Sequence, residues 1–115
     1  GFLTRAGEAL GPFGVMGGEI QPQGHLQVVA AMQDHGMSPQ AALDMPRWKW
    51  TKGQTVEFEP GTDSALIEAL RARGHDAIVM GDSLSFGRGQ IIRRLSSGAY
   101  AAGSEPRTDG AAVGY

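Results

Sequence analysis

An apolar run that ends in two adjacent glycines, with a proline four residues further on, dictates a strand that turns sharply into a helix. In this chain the stretch is Gly11-Pro12-Phe13-Gly14-Val15-Met16-Gly17-Gly18-Glu19-Ile20-Gln21-Pro22-Gln23-Gly24-His25. Glycine tolerates positive φ and has no Cβ, so Gly17-Gly18 can turn tightly and bring bare backbone amides close to a ligand. Pro22 suits the first turn of the helix behind it. The N–H groups of that first turn have no intrahelical acceptor and carry a partial positive charge. Such a corner can hold a carboxylate or a developing oxyanion. From spacing alone, a tight strand-to-helix turn with no ligand is the simpler explanation.

The rest of the chain is read around that corner. Residues 1–10 fit the end of a strand and a turn, and Phe13–Met16 fits a short buried strand. Leu26, Val28, Val29, Ala30, Ala31 and Met32 make the following helix apolar on nearly every side, which predicts a central helix that stops at Gly36. Ser38-Pro39 restarts a helix with an N-cap and a proline, and Pro46 ends it. Arg47–Thr51 and Gln54–Glu59 alternate as strands, and Lys52-Gly53 between them predicts a hairpin. Trp48 and Trp50 share a strand face and predict a core or subunit contact. Pro60-Gly61-Thr62 caps a helix whose Leu66, Ile67 and Leu70 form one stripe. Ala77–Met80, Gly89–Leu95 and Tyr100–Gly103 complete the strands. The predicted order is β-α-α-β-β-α-β-β-β, a mixed α/β (α+β) sheet layer with helices on one face.

Composition narrows the function classes. The 115 residues allow one small domain, and 41% hydrophobic with 19% charged content is that of a globular chain. A formal charge of −2 gives no electrostatic reason to expect nucleic acid or an anionic membrane as a partner. No apolar run nears the roughly 18 residues that span a bilayer. Cysteine is absent, which removes disulfides, thiolate nucleophiles and thiolate metal sites without fixing the compartment. The chain lacks an initiating methionine and is expected to be a piece of something longer. His25 and His35 are ten residues apart and fall on different helix faces, so with Asp34 they do not predict a metal site, and no cofactor is implied. Gly87-Arg88-Gly89-Gln90 precedes the β-branched pair Ile91-Ile92 and predicts a hairpin turn, not a phosphate loop. Arg88, Arg93 and Arg94 predict a solvated sheet edge. No nucleophile is identifiable: there is no Gly-x-Ser-x-Gly elbow, and Thr4 is internal.

Several blocks, in order, resemble the γ-glutamyltransferases (γ-glutamyltranspeptidases), members of the N-terminal nucleophile hydrolases. They are Phe13–Gly18, Gln21–His25, Gly36–Asp44, Pro46-Arg47, Val56–Gly61, Arg73–His75, Phe86–Gln90 and Gly103–Tyr115. The resemblance implies that residues 1–115 are a partial domain, the C-terminal portion of the small, catalytic subunit of an autoprocessed enzyme with a four-layer αββα fold. It implies an N-terminal threonine nucleophile upstream of residue 1, and backbone amides of Gly17 and Gly18 as the oxyanion hole. It thereby favours a ligand-holding corner over an empty turn. The partners it implies are the large subunit, the N-terminal part of the small subunit and a γ-glutamyl substrate such as glutathione. Water or an amino acid would resolve the acyl-enzyme.

Two features depart from the family's usual pattern: Met16 stands where proline is frequent, and Glu19-Ile20-Gln21 replaces a Ser-Arg pair. Both resemble a divergent bacterial branch, and a cephalosporin (glutaryl) acylase is the alternative by the same chemistry. A reading from another class is a stand-alone interaction module that docks through a sheet edge or the Trp48/Trp50 face. Either way, an isolated piece is expected to expose apolar surface and to dimerise or aggregate.

Overall fold

A computed structural model describes residues 1–114. Tyr115, the last residue of the terminal family block, lies outside the described residues. The first hairpin joins β1 (Phe2–Arg5) to β2 (Glu8–Met16) through Ala6-Gly7, both at positive φ, the geometry of a two-residue turn that matches strand twist. The strand before the double glycine therefore starts at Glu8, five residues earlier than the apolar run suggests. After a 3₁₀ turn at Gly18–Ile20 come α1 (Gln21–Gln33), α2 (Pro39–Asp44), β3 (Trp48–Lys52), β4 (Thr55–Phe58), α3 (Ser64–Ala72) and β5 (Asp76–Val79). A second 3₁₀ turn at Leu84–Phe86 leads into β6 (Arg88–Arg94) and β7 (Tyr100–Ser104).

The strands form two sheets. One is four-stranded and antiparallel in the order β1-β2-β6-β7, and the other is three-stranded in the order β3-β4-β5, with β4 and β5 parallel across α3. The single sheet layer expected from element order is thus corrected to two sheets within a mixed α/β fold. Two expectations about β6 change with it. Gly87–Gln90 is no hairpin turn, because β6 leaves β5 for the other sheet and pairs with β2 and β7. Arg93 and Arg94 therefore lie on a central strand and not on an edge. Arg94 makes an exposed ion pair with Glu8 at 3.5 Å.

Each sheet buries one face. Helices α1 and α2 cover the first, giving a core of Val15, Val28, Ala31, Met32, Ala42, Leu43 and Ile91. Each such side chain contributes about 1.5–3 kcal/mol when fully buried, and the alanines less. Helix α1 is one-sided and not central: Gly24, Gln27, Val28, Ala31 and Met32 are buried, while Leu26 is 59% exposed. Helix α3 packs Ile67 and Leu70 on Phe58 and Ala77, with Trp48 and Val56 beside them, and leaves Leu66 outside the predicted stripe, 48% exposed. Its N-cap is Asp63, whose carboxylate accepts from the Ala65 N–H at 2.9 Å, in place of the expected Thr62. The Ser38 cap and the β3–β4 hairpin are as predicted.

Helix α2 seats directly on β7. A Cβ on Gly103 would lie 2.7–2.8 Å from backbone atoms of Pro39 and Gln40. The Gln40 carboxamide sits beside it, donating to the Ser104 carbonyl at 2.9 Å and accepting the Ser104 N–H at 3.0 Å. Gly103→Ala is expected to push α2 off the sheet at a cost of about 1–3 kcal/mol, measurable as a lowered denaturation midpoint with unchanged slope. An unchanged midpoint would show that α2 does not sit this close.

Candidate functional site

Strand β2 delivers the chain to the double glycine, as the sequence predicts. Gly17 takes φ +140° and Gly18 φ +66°, so both occupy backbone regions that side chains rarely adopt. Both residues are exposed. Gly18 opens the 3₁₀ turn that runs without a break into α1, so its N–H precedes any intrahelical acceptor. No side chain caps either the turn or the helix. Among the described residues, neither the Gly17 nor the Gly18 N–H donates to a loop or side-chain acceptor.

The corner is held from behind by Gly87. A Cβ on Gly17 would stand 2.9 Å from the Gly87 Cα, and a Cβ on Gly87, itself at φ +76°, would stand 2.5 Å from the Met16 carbonyl oxygen. Only glycine at both positions lets the two backbones touch. Beside the corner opens a cleft of about 690 Å³, bordered by Phe13, Met16, Gln21, His25, Arg88 and Ile92. His25 packs edge-on against Phe13 with ring centroids 5.4 Å apart, and burial pushes its imidazole below the ordinary value. Asp34 and His35 are exposed beyond the C-terminal end of α1.

A buried ionic quartet supports this arrangement, and sequence reasoning missed it. Arg47, just before β3, donates to the carbonyls of Phe86 and Gly87 at 3.0 and 3.1 Å and to the Glu105 carboxylate at 2.9 Å. The other oxygen of Glu105 accepts from Arg107 at 2.7 Å, and the Gly89 N–H is also bonded to Glu105 at 2.5 Å. Arg107 spends all five N–H groups, on Glu59, Glu105, Leu43 and Met45. Glu59 also accepts the Arg47 backbone N–H at 2.7 Å. Burial alone pushes the Glu59 and Glu105 carboxyls up, but the arginine and backbone N–H groups aimed at them outweigh it and hold both below the ordinary value. For Arg47, burial prevails over the Glu105 hydrogen bond and lowers its value. Each of the four charges adjoins or is one residue from Pro46, Pro60 or Pro106 inside a family block, the only signal in the sequence that could have marked them.

The quartet ties the strand start of β3 to the Phe86–Gly89 segment, and through Gly87 to the corner. The glycine corner thus sits between Met16 and Gln21, two residues that border the cleft, with Gly17 backed by Gly87.

Comparison with known proteins agrees with this reading of the fold. The γ-glutamyltranspeptidase family model matches residues 1–115. The chain is 38% identical over 109 residues to a glutathione hydrolase-like proenzyme of Bacillus subtilis, covering 89% of this chain and 21% of that protein. It is 34% identical to an oxamate amidohydrolase proenzyme of Klebsiella pneumoniae, again over 21% of that protein. Among solved structures, cephalosporin acylase from Bacillus halodurans superposes with a TM-score of 0.91 at 53% identity, over 94% of this chain and 20% of that one. A γ-glutamyltranspeptidase from Pseudomonas nitroreducens shares the fold at 23% identity, with a TM-score of 0.83 over all of this chain and 60% of that one. The chain thus spans about a fifth of the length of the curated relatives it matches over most of its length. By sequence, fold and the order of its glycine and proline blocks, it belongs to the γ-glutamyltranspeptidase family.

Proposed function

We propose that this chain is the C-terminal part of the small subunit of an autoprocessed amide-cleaving enzyme, and that Gly17 and Gly18 supply its oxyanion hole. The reaction is acyl transfer. The hydroxyl of an upstream N-terminal threonine attacks the substrate's amide carbonyl carbon, and its own α-amino group takes the proton. The carbonyl oxygen becomes an oxyanion held by the Gly17 and Gly18 N–H groups. Collapse expels the amine, which takes up the proton, and leaves an acyl ester on the threonine. Water then releases the acid, or an amino acid or peptide takes the acyl group. The observation that supports this most is the exposed glycine pair, both at positive φ, at the end of β2.

The acyl group fits two classes. A γ-glutamyl donor such as glutathione follows from the family, and a glutaryl donor is supported by the 53% identity to a cephalosporin acylase. To test the reading, γ-glutamyl and glutaryl anilides are offered to the 115-residue chain and to the same chain with its upstream sequence. The longer protein is expected to hydrolyse one of them and the 115-residue chain neither, because the threonine lies outside it. Turnover by the 115-residue chain alone would refute the upstream nucleophile, and an inert, correctly cleaved longer protein would refute amide cleavage of these donors.

A further inference from the structure

The double glycine has no cap of its own, so its direction is inherited from α1, and α1 is docked in an unusual way. On one side Gly24 meets β2 so closely that a Cβ there would lie 2.8 Å from Val15 Cγ1. That contact is a pivot, because it fixes a distance without fixing a rotation. On another side, Gln23 and Gln27 reach the free edge of β3. The Gln23 carboxamide accepts the Trp50 N–H at 2.7 Å and donates to the Trp50 carbonyl at 3.0 Å. The Gln27 carboxamide accepts the Trp48 N–H at 3.0 Å and donates to the Trp48 carbonyl at 2.9 Å. Gln27 also donates to the Gln23 carbonyl at 3.1 Å, which ties the two together.

The match is geometric. Four residues along a helix advance about 6 Å, and two residues along a strand about 6.7 Å. On an edge strand, alternate residues turn both N–H and C=O outward, and a carboxamide offers one acceptor and one donor side as a backbone peptide does. Two glutamines at i and i+4 can therefore replace two rungs of a missing neighbouring strand. The helix is held to the second sheet as if it were its fourth strand.

We infer that Gln23 and Gln27 are positioning residues for the oxyanion loop: by clamping the first turns of α1 to the β3 edge, they fix where the Gly17 and Gly18 N–H groups point. Gln23 is the better probe, since it is partly exposed at the start of the helix, whereas Gln27 is buried. The inference rests on the acyl-transfer reading above.

The experiment uses the longer, processed protein and the anilide it hydrolyses, with Gln23→Ala, Gln23→Glu and Gly17→Ala side by side. A displaced oxyanion hole weakens only the transition state. Gln23→Ala is expected to lower kcat roughly tenfold to a hundredfold with KM within about twofold, since small misplacements of reacting groups cost that much. A boronic acid carrying the substrate's acyl chain, which forms a tetrahedral adduct, should lose affinity by the same factor as kcat/KM. Gln23→Glu keeps an acceptor for the Trp50 N–H and should recover part of both. If Gln23→Ala lowers the denaturation midpoint but leaves kcat and boronate affinity unchanged while Gly17→Ala abolishes turnover, the clamp holds only the sheet edge and the inference fails. If Gly17→Ala leaves turnover intact, the oxyanion assignment itself fails and takes the inference with it.

Discussion

Gly17→Ala in the longer protein is expected to cost about 10²–10³ in kcat, the loss typical of a removed oxyanion donor. Alanine keeps the N–H, so the loss comes from where the N–H must go. At φ +140° a side chain is strained wherever it points, and here it would also meet the Gly87 Cα at 2.9 Å and Ile20 Cγ2 at 2.7 Å. Backbone cannot yield as a flexible side chain does, so the corner rotates and the amide leaves its line. The neighbouring substitution provides the contrast. Gly18→Ala has no atom within 4 Å of the new Cβ and takes φ +66°, the left-handed region, at a cost of about 1–2 kcal/mol. Its turnover should stay within about tenfold of the parent. Steady-state kinetics on both variants checks this, and equal losses would show that Gly87 does not buttress the corner.

Glu105→Leu is expected to be the most destabilising single substitution outside the glycines. It strands the Arg47 guanidinium, fully buried, without its carboxylate, and it orphans the Gly89 N–H. Breaking a buried ion pair from one side typically costs about 3–5 kcal/mol, a large share of the stability of a small domain. Replacing both partners, Arg47→Met with Glu105→Leu, should recover part of that loss, because no charge is then left unpaired. Denaturant unfolding of the cycle reads both effects.

The same quartet sets an acid limit. Glu59 and Glu105 have folded-state values below the ordinary 4.5, so the folded state binds their protons less readily than the unfolded chain does. Their contribution is fully present above about pH 4.5 and is lost as pH falls through the depressed values. An unfolding midpoint that is flat from neutral pH to about 5 and falls steeply below 4.5 is the expected result. A fall beginning near pH 6 would point to a histidine instead.

What could be read from the residues follows how local each determinant is. Ser38-Pro39, Lys52-Gly53 and the Gly17-Gly18-to-Pro22 corner encode their geometry within a few positions, and each appears where expected. The partner of a strand is not encoded locally. Ile91-Ile92 announces a strand, yet nothing near it says that β6 leaves β5 and inserts between β2 and β7. The apolar run from Leu26 to Met32 also overstated burial, because it ignored that Gln27 and Gly24 could take the inner face. Charges were the least legible. Arg47, Glu59, Glu105 and Arg107 look like solvated surface until contacts spanning 48 and 58 residues bring them together. Gly17-Gly18 was legible as a turn, but spacing alone does not separate a plain turn from a ligand-holding corner, and only the family resemblance singled the pair out.

The glutamine contacts have one more consequence, for encounters between separate molecules. An open edge strand offers its backbone as a template on which a foreign strand can add. On β3 the outward groups of Trp48 and Trp50 are occupied by Gln23 and Gln27, and on β7 those of Ser104 are occupied by Gln40. A carboxamide ends the ladder it joins, because it has no further rung to offer. With two such stoppers on β3 and one at the end of β7, strand addition is interrupted at those rungs without a charge or a proline, by side chains that also hold the helices in place.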